Sequence, residues 1–401
     1  MLYFFGRAVS QFGTWMQRTA VVWVVYSMTH SALLLGITIF AEQFPSFVFS
    51  IPGGVAADRY NRYTLIKITQ AISMAQAVLL AVLVITGHTT VWAILLLSVL
   101  LGIINAFDIP ARQALINDVV ASPDDLPNAL SLSTATASLA QLLGPALSGI
   151  VLSVFGAGIC FLLNAASFGA VIVSLLLMKL PAYEPKRTGK KIAADFGEGF
   201  AYIKNNRDIG LMVVMLAAVS LLVLPYNTVI PVFAKVVFKG DASTFGYINS
   251  FIGIGAVAGT IFLASRKPGV HLKRILFIST LLMGIGLICF SQVKSFPLAM
   301  LFAAIAGYGS IAQFTISNIM VQSDAAPHMR GRTMGILLMA IFGMMPLGSV
   351  LTGAVSEHIG APATVAAQGV IAVVVALLFV KFLTRRSAKL TLKTEGVSVN
   401  N

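Results

Sequence analysis

Charged residues and cysteines are scarce in this sequence. Of its 401 residues only 10% are charged, against about 25% in a typical soluble domain, and 58% are hydrophobic. This balance excludes an ordinary soluble enzyme or binding domain and places the chain among membrane proteins. The two cysteines, Cys160 and Cys289, lie inside apolar runs, so we expect neither a disulfide nor a metal site.

The sequence also lacks the short motifs of common catalytic sites. It contains no Gly-x-x-x-x-Gly-Lys-Ser/Thr loop, no His-Glu-x-x-His element and no Gly-x-Ser-x-Gly element. We therefore expect a protein that is not an enzyme, has no cofactor and draws its energy from an ion gradient. The first apolar segment is too long for a cleavable signal peptide and contains Arg7 and Arg18.

Long apolar runs make up most of the chain. A bilayer core of about 30 Å needs about 20 residues of helix to cross it. The sequence thus predicts an all-α membrane protein with twelve transmembrane helices. We number these segments in chain order: 3–28, 33–57, 63–86, 91–117, 127–154, 158–179, 208–234, 242–264, 272–292, 296–321, 333–356 and 362–384.

Lysine and arginine are concentrated in every second connection between these segments. The net charge of +13 would suggest nucleic-acid binding in a soluble protein, but here the basic residues form short clusters beside apolar spans. Because basic loops face the cytoplasm, we predict that both termini are cytoplasmic and that no nucleic acid is a partner. The opposite side of the membrane holds only Lys235, Lys239 and Lys294.

The longest connection divides the chain into two parts. Residues 1–180 and 208–385 are each predicted to form a six-helix bundle, joined by a cytoplasmic linker, 181–207, that contains an amphipathic helix. We interpret the linker as a tether, and a regulatory role stays open. The polar residues 386–401 are predicted to be a disordered cytoplasmic tail.

Two short patterns recur half the chain apart. The pattern of residues 31–36 returns at 241–246, and the glycine spacing of residues 144–149 returns at 348–353, each time before a Gly-Ala pair. Such a repeat supports two bundles related by an axis along the membrane normal, with the substrate site between them at mid-depth.

A charged turn separates segments 2 and 3. In it the motif Gly-x-x-x-Asp-Arg-x-x-Arg is filled by Gly54, Asp58, Arg59 and Arg62. The turn resembles the loop between helices 2 and 3 of the major facilitator superfamily, although Asn61 stands where that family usually has glycine. The resemblance implies a cytoplasmic gate in which Asp58 faces the start of segment 11 and Arg112 of segment 4 reaches Asp58. Alternatively, the charges only anchor the loop on its side of the membrane.

Three charged residues inside the apolar segments are candidates for proton coupling. Arg18 and Glu42 are equally far from the first outer turn, so they lie at matching depth near the midplane and can pair. A carboxyl group there can bind and release a proton, because burial favours the neutral acid and an arginine favours the carboxylate. Alternatively, the pair is static and fixes helix packing. Asp108 is the second candidate, with a local ion pair to Arg112 as its alternative.

Segment 5 carries a stripe of small residues around a proline. Gly144, Pro145 and Gly149 resemble the motif of superfamily exporters that exchange substrate for protons, and the resemblance implies that this helix seals one side of the cavity. Ordinary small-residue packing is the alternative. Polar residues that either line the cavity or bond between helices are Gln17, Gln141, Tyr226, Asn227, Tyr308 and Gln313. Pro225 and Pro231 are expected to break segment 7 beside Asn227.

Several stretches resemble one bacterial branch of the superfamily, the enterobactin-exporter-like and macrolide-efflux-like proteins. The branch usually has a polar leader before helix 1, so either the start of this protein lies upstream or the leader is dispensable. The matching stretches are 6–17, 31–36, the Asp58 turn, 107–115 and 197–203.

The resemblance implies a monomer in the bacterial inner membrane that exports a small amphipathic molecule, of the drug or siderophore class, by proton antiport and alternating access. Nutrient uptake by symport or uniport on the same fold is one alternative. The other is a sensor with a transporter-like fold that moves nothing.

Overall fold

A computed structural model describes residues 2–120, 123–178, 192–266 and 272–397, and all the regular elements in these ranges are helical. The shorter helices α3, α8 and α10 accompany twelve longer ones, and short 3-10 or π turns occur at 123–125, 224–229 and 233–237. The helices are α1 Leu2–Thr29, α2 Ala32–Val48, α3 Ser50–Arg59, α4 Arg62–Ile85, α5 Val91–Val119, α6 Leu126–Phe155, α7 Ala157–Leu176, α8 Ile192–Asn205, α9 Arg207–Leu222, α10 Ile230–Val232, α11 Ala242–Ala264, α12 Leu272–Gln292, α13 Phe296–Asp324, α14 Arg330–Ile359 and α15 Ala361–Val397.

Ten spans in the described part of the chain are long and apolar enough to cross a membrane, and the bent pair α2–α3 makes an eleventh. The helix α1 is 28 residues long but is not among them, and its sequence includes Gln11, Gln17 and Arg18. A helix that turns such polar residues toward its neighbours gives a weaker hydropathy signal than one that faces lipid. The chain is therefore an all-helical, multi-pass membrane protein, and the count of twelve spans stays a prediction.

The repeat found in the sequence marks equivalent helix ends. Ser31 and Asp241 are the N-cap residues of α2 and α11, and the side chain of each accepts a hydrogen bond from a backbone N–H of the first turn. Gly156 and Gly360 end α6 and α14 with φ of 79° and 83°, a conformation that favours glycine. The four positions lie at one end of the bundle, which we call the Ser31 end. The opposite end, which contains Asp58, is the Asp58 end.

The second span is bent near its middle. The axes of α2 and α3 differ by 48°, and Pro45 lies in the last turn of α2, where its ring removes a backbone hydrogen bond. Beyond the bend, Gly53 packs on the backbone of α5 so closely that a Cβ there would overlap the carbonyl group of Ala106. Both α2 and α3 thus pack along α5, and α2 also packs along α14.

The seventh span is broken as its prolines predict. The α-helix α9 ends at Leu222, and the chain continues through a 3-10 turn, the short helix α10 and a π turn that ends at Val237. Pro225 and Pro231 lie within this irregular stretch, where they interrupt the hydrogen bonding of a continuous helix.

Two helix pairs make the main contacts between α1–α7 and α9–α15, namely α2 with α14 and α6 with α11. Both rely on glycine at the Ser31 end. A Cβ on Gly149 would come within 2.7 Å of the Cα of Gly246, and a Cβ on Gly353 would come within 2.5 Å of the carbonyl oxygen of Ala32. Close backbone approach of this kind is how membrane helices pack without large side chains.

The Asp58 end is less tightly packed at the corresponding glycines. Within the described part of the chain, a Cβ on Gly54 of α3, or on Gly331 or Gly335 of α14, would have no neighbour within 4 Å. The helices α2 and α14 are therefore in contact at the Ser31 end, whereas these three glycines at the Asp58 end face open space.

The helix α8 lies where the sequence predicts a helix in the linker, and it packs on the start of α14. The hydroxyl group of Tyr202 accepts a hydrogen bond of 3.0 Å from the N–H of Ala326, and Ile203 is buried. Glu198 forms an ion pair with Arg332. The basic residues 186–191 lie outside the described residues. At the other end of the chain α15 extends from Ala361 to Val397. The division into two bundles, a linker and a tail stays a prediction.

Candidate functional site

An ion pair lies at the middle of the first two spans. The Nε of Arg18 on α1 donates a hydrogen bond of 2.6 Å to Oε1 of Glu42 on α2. The Glu42 side chain is 16% exposed and that of Arg18 is 34% exposed, so the pair is half-buried and still accessible. The guanidinium carbon of Arg18 also lies 5.3 Å from the centroid of the Trp15 ring, within the range of a cation–π contact. The two residues that depth along the helices suggested as partners thus meet.

Asp108, the second proton-coupling candidate, is enclosed by hydrogen-bond partners. It is 2% exposed, and its Oδ1 accepts hydrogen bonds from the Thr69 hydroxyl at 2.7 Å and from Gln70 Nε2 at 3.0 Å. Its other oxygen forms an ion pair with Arg112, one helical turn later. These donors join the carboxylate of Asp108 to α4 and to the next turn of α5. This arrangement matches the local ion pair that was the alternative for Asp108.

Arg62 of the charged turn has a partner that the sequence motif does not contain. Its Nη1 lies 3.0 and 2.9 Å from the two carboxylate oxygens of Asp118 at the end of α5, and its Nε donates to the carbonyl group of Ala57 at 3.1 Å. The pair ties the α3–α4 turn to α5. Sequence reasoning missed Asp118, although its position after segment 4 places an acid on the same predicted side of the membrane as Arg62.

The remaining residues of the turn lie at the tip of α3. Asp58 and Arg59 are exposed, and Gly54 faces open space among the described residues. At the start of α14, which was predicted to face Asp58, Thr333 is buried and Arg332 pairs with Glu198 of α8. Charged residues thus lie at this end of both α3 and α14, and their role as a gate stays a prediction.

The small residues of α6 pack this helix against α1 and α11. A Cβ on Gly144 would approach the Cβ of Trp15 to 2.5 Å, while Gly149 meets Gly246 of α11. The hydroxyl group of Ser148 donates a hydrogen bond of 3.1 Å to the carbonyl group of Met16. Pro145 is buried in the same stripe. The motif thus places α6 between one helix of its own part of the chain and one of the other part.

Gln17 bonds between helices instead of facing an opening. It is 1% exposed, its Nε2 donates to Gln76 Oε1 at 3.0 Å, and its Oε1 accepts from Asn164 Nδ2 at 2.7 Å. These bonds join α1, α4 and α7, which is the interhelical alternative weighed for this residue. Sequence reasoning did not select Gln76 and Asn164, although each is a polar residue inside an apolar segment and could have been found on that ground.

The other polar candidates differ in exposure. Gln141 and Asn227 are exposed, and Tyr308 is half-buried with its ring 5.9 Å from that of Phe262. Tyr226 is buried at the break of the seventh span. Gln313 is fully buried, and its amide group makes no hydrogen bond to any described residue. Asn227 and Gln141 are thus the exposed members of this set.

The comparisons with known proteins agree with this architecture. The sequence model of a major facilitator superfamily branch described as transmembrane secretion effector matches residues 3–395. A staphyloferrin A transporter of Staphylococcus aureus is 26% identical over 99% of this chain and 99% of its own length. The multidrug efflux pump Tap of Mycolicibacterium fortuitum is 23% identical over 91% of this chain and 90% of its own length.

Solved structures show the same fold at low sequence identity. A bacterial homologue of the human lysosomal transporter Spinster, crystallised in an inward-facing and unoccupied conformation, superposes with a TM-score of 0.72 and 15% identity. The superposition covers 94% of this chain and 95% of that one. The family match spans nearly the whole chain, and both sequence relatives are full-length matches. The protein therefore belongs to the transmembrane secretion effector family and is a transporter of the efflux-like bacterial branch of the major facilitator superfamily.

Proposed function

We propose that this protein exports a small amphipathic molecule, of the drug or siderophore class, in exchange for protons. It would do so as a monomer in the bacterial inner membrane, with both termini and the Asp58 end facing the cytoplasm. The relatives, a staphyloferrin A transporter and a multidrug efflux pump, support this class of substrate. The distribution of lysine and arginine supports the orientation.

One observation carries the alternating-access part of the proposal. The backbones of α2 and α14 are in contact at Gly353 and Ala32, whereas Gly54, Gly331 and Gly335 face open space at the opposite end. With the proposed orientation this is an inward-open state, in which a molecule in the cytoplasm reaches the space between two six-helix bundles. Export then requires closure of the Asp58 end and opening of the Ser31 end.

The Arg18–Glu42 pair is the proposed site of proton coupling. Both side chains are half-buried at mid-depth, so a change in solvation reaches them when access alternates. While Arg18 lies 2.6 Å from Glu42, it stabilises the carboxylate. If substrate binding or closure draws the guanidinium away, the isolated carboxylate becomes costly in a dry site, and uptake of a proton removes that cost. Binding of substrate and of proton would thus be coupled through one arginine.

The gate residues have separate tasks in this proposal. Asp108 of α5 would hold α4 through Thr69 and Gln70 and pair with Arg112 on its own helix. Arg62 with Asp118 would fix the turn on α5, so that Asp58 and Arg59 are presented on a rigid support. Asp58 would then meet the backbone N–H groups at the start of α14 when the end closes, because a helix N-terminus favours an anion.

Transport in everted membrane vesicles tests the proposal. Respiration acidifies the lumen of such vesicles, so a proton-coupled exporter accumulates a fluorescent amphipathic dye inside and releases protons as it does so. A pH-sensitive probe in the same vesicles reports the proton movement. Substrates from a thermal-shift screen of the purified protein, with amphipathic drugs and siderophores in the panel, replace the dye if it is not transported.

The alternatives give different results. Movement of the identified substrate out of the vesicle lumen together with protons would indicate uptake by symport, and movement that needs no proton gradient would indicate a uniporter. A sensor would bind a ligand and move neither it nor protons. Vesicles without the protein, and vesicles treated with a protonophore, are the controls.

A further inference from the structure

A carboxylate from α14 lies at the start of α2. Glu357 is in the last turn of α14, and one of its oxygens, Oε2, accepts three hydrogen bonds from the first residues of α2. The donors are the Ser31 hydroxyl at 3.2 Å, the Ala32 N–H at 2.8 Å and the Leu33 N–H at 3.2 Å. More than 300 residues of sequence separate the two sides of this contact.

The chemistry of a helix start explains why these donors converge. The first N–H groups of an α-helix have no partner within the helix and carry partial positive charge, so an anion beside them is stabilised. Usually a residue just before the helix supplies the oxygen. Here Ser31 accepts from the N–H of Leu34 at 3.3 Å, and Glu357 takes the N–H groups of Ala32 and Leu33. The interaction therefore joins two helices instead of completing one.

The equivalent helix start in the second part of the chain has no such dependence. Asp241 caps α11 itself, and its Oδ1 accepts from the N–H groups of Ser243 at 3.0 Å and Thr244 at 3.2 Å. The repeat thus contains an aspartate at 241 that serves its own helix and a serine at 31 that leaves two N–H groups to Glu357. A change at Glu357 should therefore affect the contact between α2 and α14 and leave that between α6 and α11 unaffected.

The backbone fit around Glu357 places the contact in one conformation. Gly353 packs on Ala32 and Leu33, one turn before Glu357, and Gly36 packs on the backbone of Ser349. The three hydrogen bonds form only while these glycine contacts hold the ends of α2 and α14 together. Separation of the Ser31 end would expose all three donors and the carboxylate to water.

We propose that Glu357 is a gating residue: it holds the Ser31 end closed while the Asp58 end is open and is released each time the Ser31 end opens. The inference rests on the proposed alternating access. It gives the second span (α2 and α3) and the antiparallel helix α14 reciprocal contacts. Glu357 of α14 accepts hydrogen bonds from the first residues of α2, and Asp58 of α3 would accept them from the first residues of α14. The two contacts would form in alternate states.

Distances between spin labels at both ends test this gate without any substrate. With Cys160 and Cys289 replaced by alanine, one label pair at His88→Cys and Lys294→Cys reports on the Ser31 end. A second pair at Thr64→Cys and Lys273→Cys reports on the Asp58 end, and all four positions are exposed. Double electron–electron resonance in nanodiscs gives the fraction of molecules with a long distance across each end.

Glu357→Gln keeps the size of the side chain and removes its charge. We expect the ratio of open to closed molecules at the Ser31 end to rise roughly three- to tenfold, the range expected for loss of a capping anion, and the distance at the Asp58 end to shorten in the same molecules. The matched control His358→Gln, on the next exposed residue of the same helix, should leave both distributions unchanged. Ser31→Gly removes one donor but keeps a residue suited to the cap, so a smaller shift in the same direction is expected.

Distributions for Glu357→Gln and Ser31→Gly that coincide with that of the parent would overturn the proposal. An equal shift in His358→Gln would also overturn it, because the effect would then not depend on the carboxylate. If Glu357→Gln does not purify as a folded protein, Ser31→Gly alone decides between these outcomes. The label distances are measured without transport, so the test of Glu357 stands even if the export assay fails. A negative result for Glu357 likewise does not decide whether the protein exports a substrate, which the vesicle assay tests separately.

Discussion

The Thr69 hydroxyl donates a hydrogen bond of 2.7 Å to the carboxylate of Asp108, and it does so from a neighbouring helix inside the membrane. With Gln70 and Arg112 this bond surrounds the acid, and the group is 2% exposed. The most deeply buried acid among the described residues is therefore held between α4 and α5 by three donors. Its bonds to α4 give Asp108 a part in joining α4 and α5, and its part in proton coupling stays a prediction.

The two aspartates of α5 should differ sharply in their effect on stability. Asp108→Asn breaks a buried ion pair and should lower the free energy of unfolding by about 3 kcal/mol. Asp118→Asn removes a more exposed pair with Arg62 and should cost about 0–1 kcal/mol. Denaturant unfolding in detergent measures both. An equal loss in the two variants would contradict the structural role given to Asp108.

Glu42→Gln should abolish gradient-driven transport while substrate binding survives. The amide cannot release a proton, but it preserves the size of the side chain and a hydrogen bond to Arg18. Accumulation in everted vesicles should fall to the level of empty vesicles, and a thermal-shift titration with the same substrate should be unchanged. Active transport that persists in this variant would move the proton-coupling role to Asp108.

Glycines in contact and glycines in open space should respond oppositely to alanine. Gly149→Ala places a methyl group within 2.7 Å of Gly246 and should destabilise the protein by about 1–3 kcal/mol. Gly335→Ala meets no described neighbour, so it should be neutral or stabilise α14 by up to about 1 kcal/mol. Thermal unfolding in detergent compares the two, and a loss of stability in both would show that the Asp58 end is packed as tightly as the Ser31 end.

A bulky residue at Gly54 should abolish transport without lowering the stability of the fold. Gly54→Leu has room in the conformation described here and should leave thermal stability nearly unchanged. It should nevertheless prevent α3 from approaching α14, so that vesicle transport is lost and the label pair at Thr64→Cys and Lys273→Cys stays at its long distance. Normal transport by Gly54→Leu would exclude this surface from the gate. Gly197→Leu, on a glycine of α8 that also faces open space, is the matched control.

Cysteine labelling checks the proposed orientation. Tyr60→Cys and Lys186→Cys should react with a membrane-impermeant maleimide only after cells are permeabilised, whereas His88→Cys should react in intact cells. The parent needs no masking at Cys160, which is buried. Labelling of Tyr60→Cys and Lys186→Cys from opposite sides would remove both the predicted topology and the cytoplasmic gate.

Features coded by neighbouring residues were predictable from the sequence. The break of the seventh span follows from Pro225 and Pro231, and the helix α8 follows from its apolar spacing. The depth of a residue in the membrane can also be predicted, because each helical residue advances about 1.5 Å along the helix axis. This reasoning placed Arg18 and Glu42 at the same depth.

The partners of the polar groups that join different helices were not predictable in the same way. Asp118, Thr69 and Glu357 reach their partners only through the rotation of each helix about its axis and the order of helices around the bundle. Neither quantity is fixed by depth or by hydropathy when most of a helix surface is apolar. Glu357 is the clearest case, because its donors are backbone N–H groups, which every sequence offers and no sequence pattern marks.

The contact between Gly149 and Gly246 has a mechanical consequence. At this point the two helices touch through their main chains, so they can tilt about it without a side chain at either position having to change rotamer. The crossing of α6 and α11 can thus serve as a pivot between the two parts of the chain.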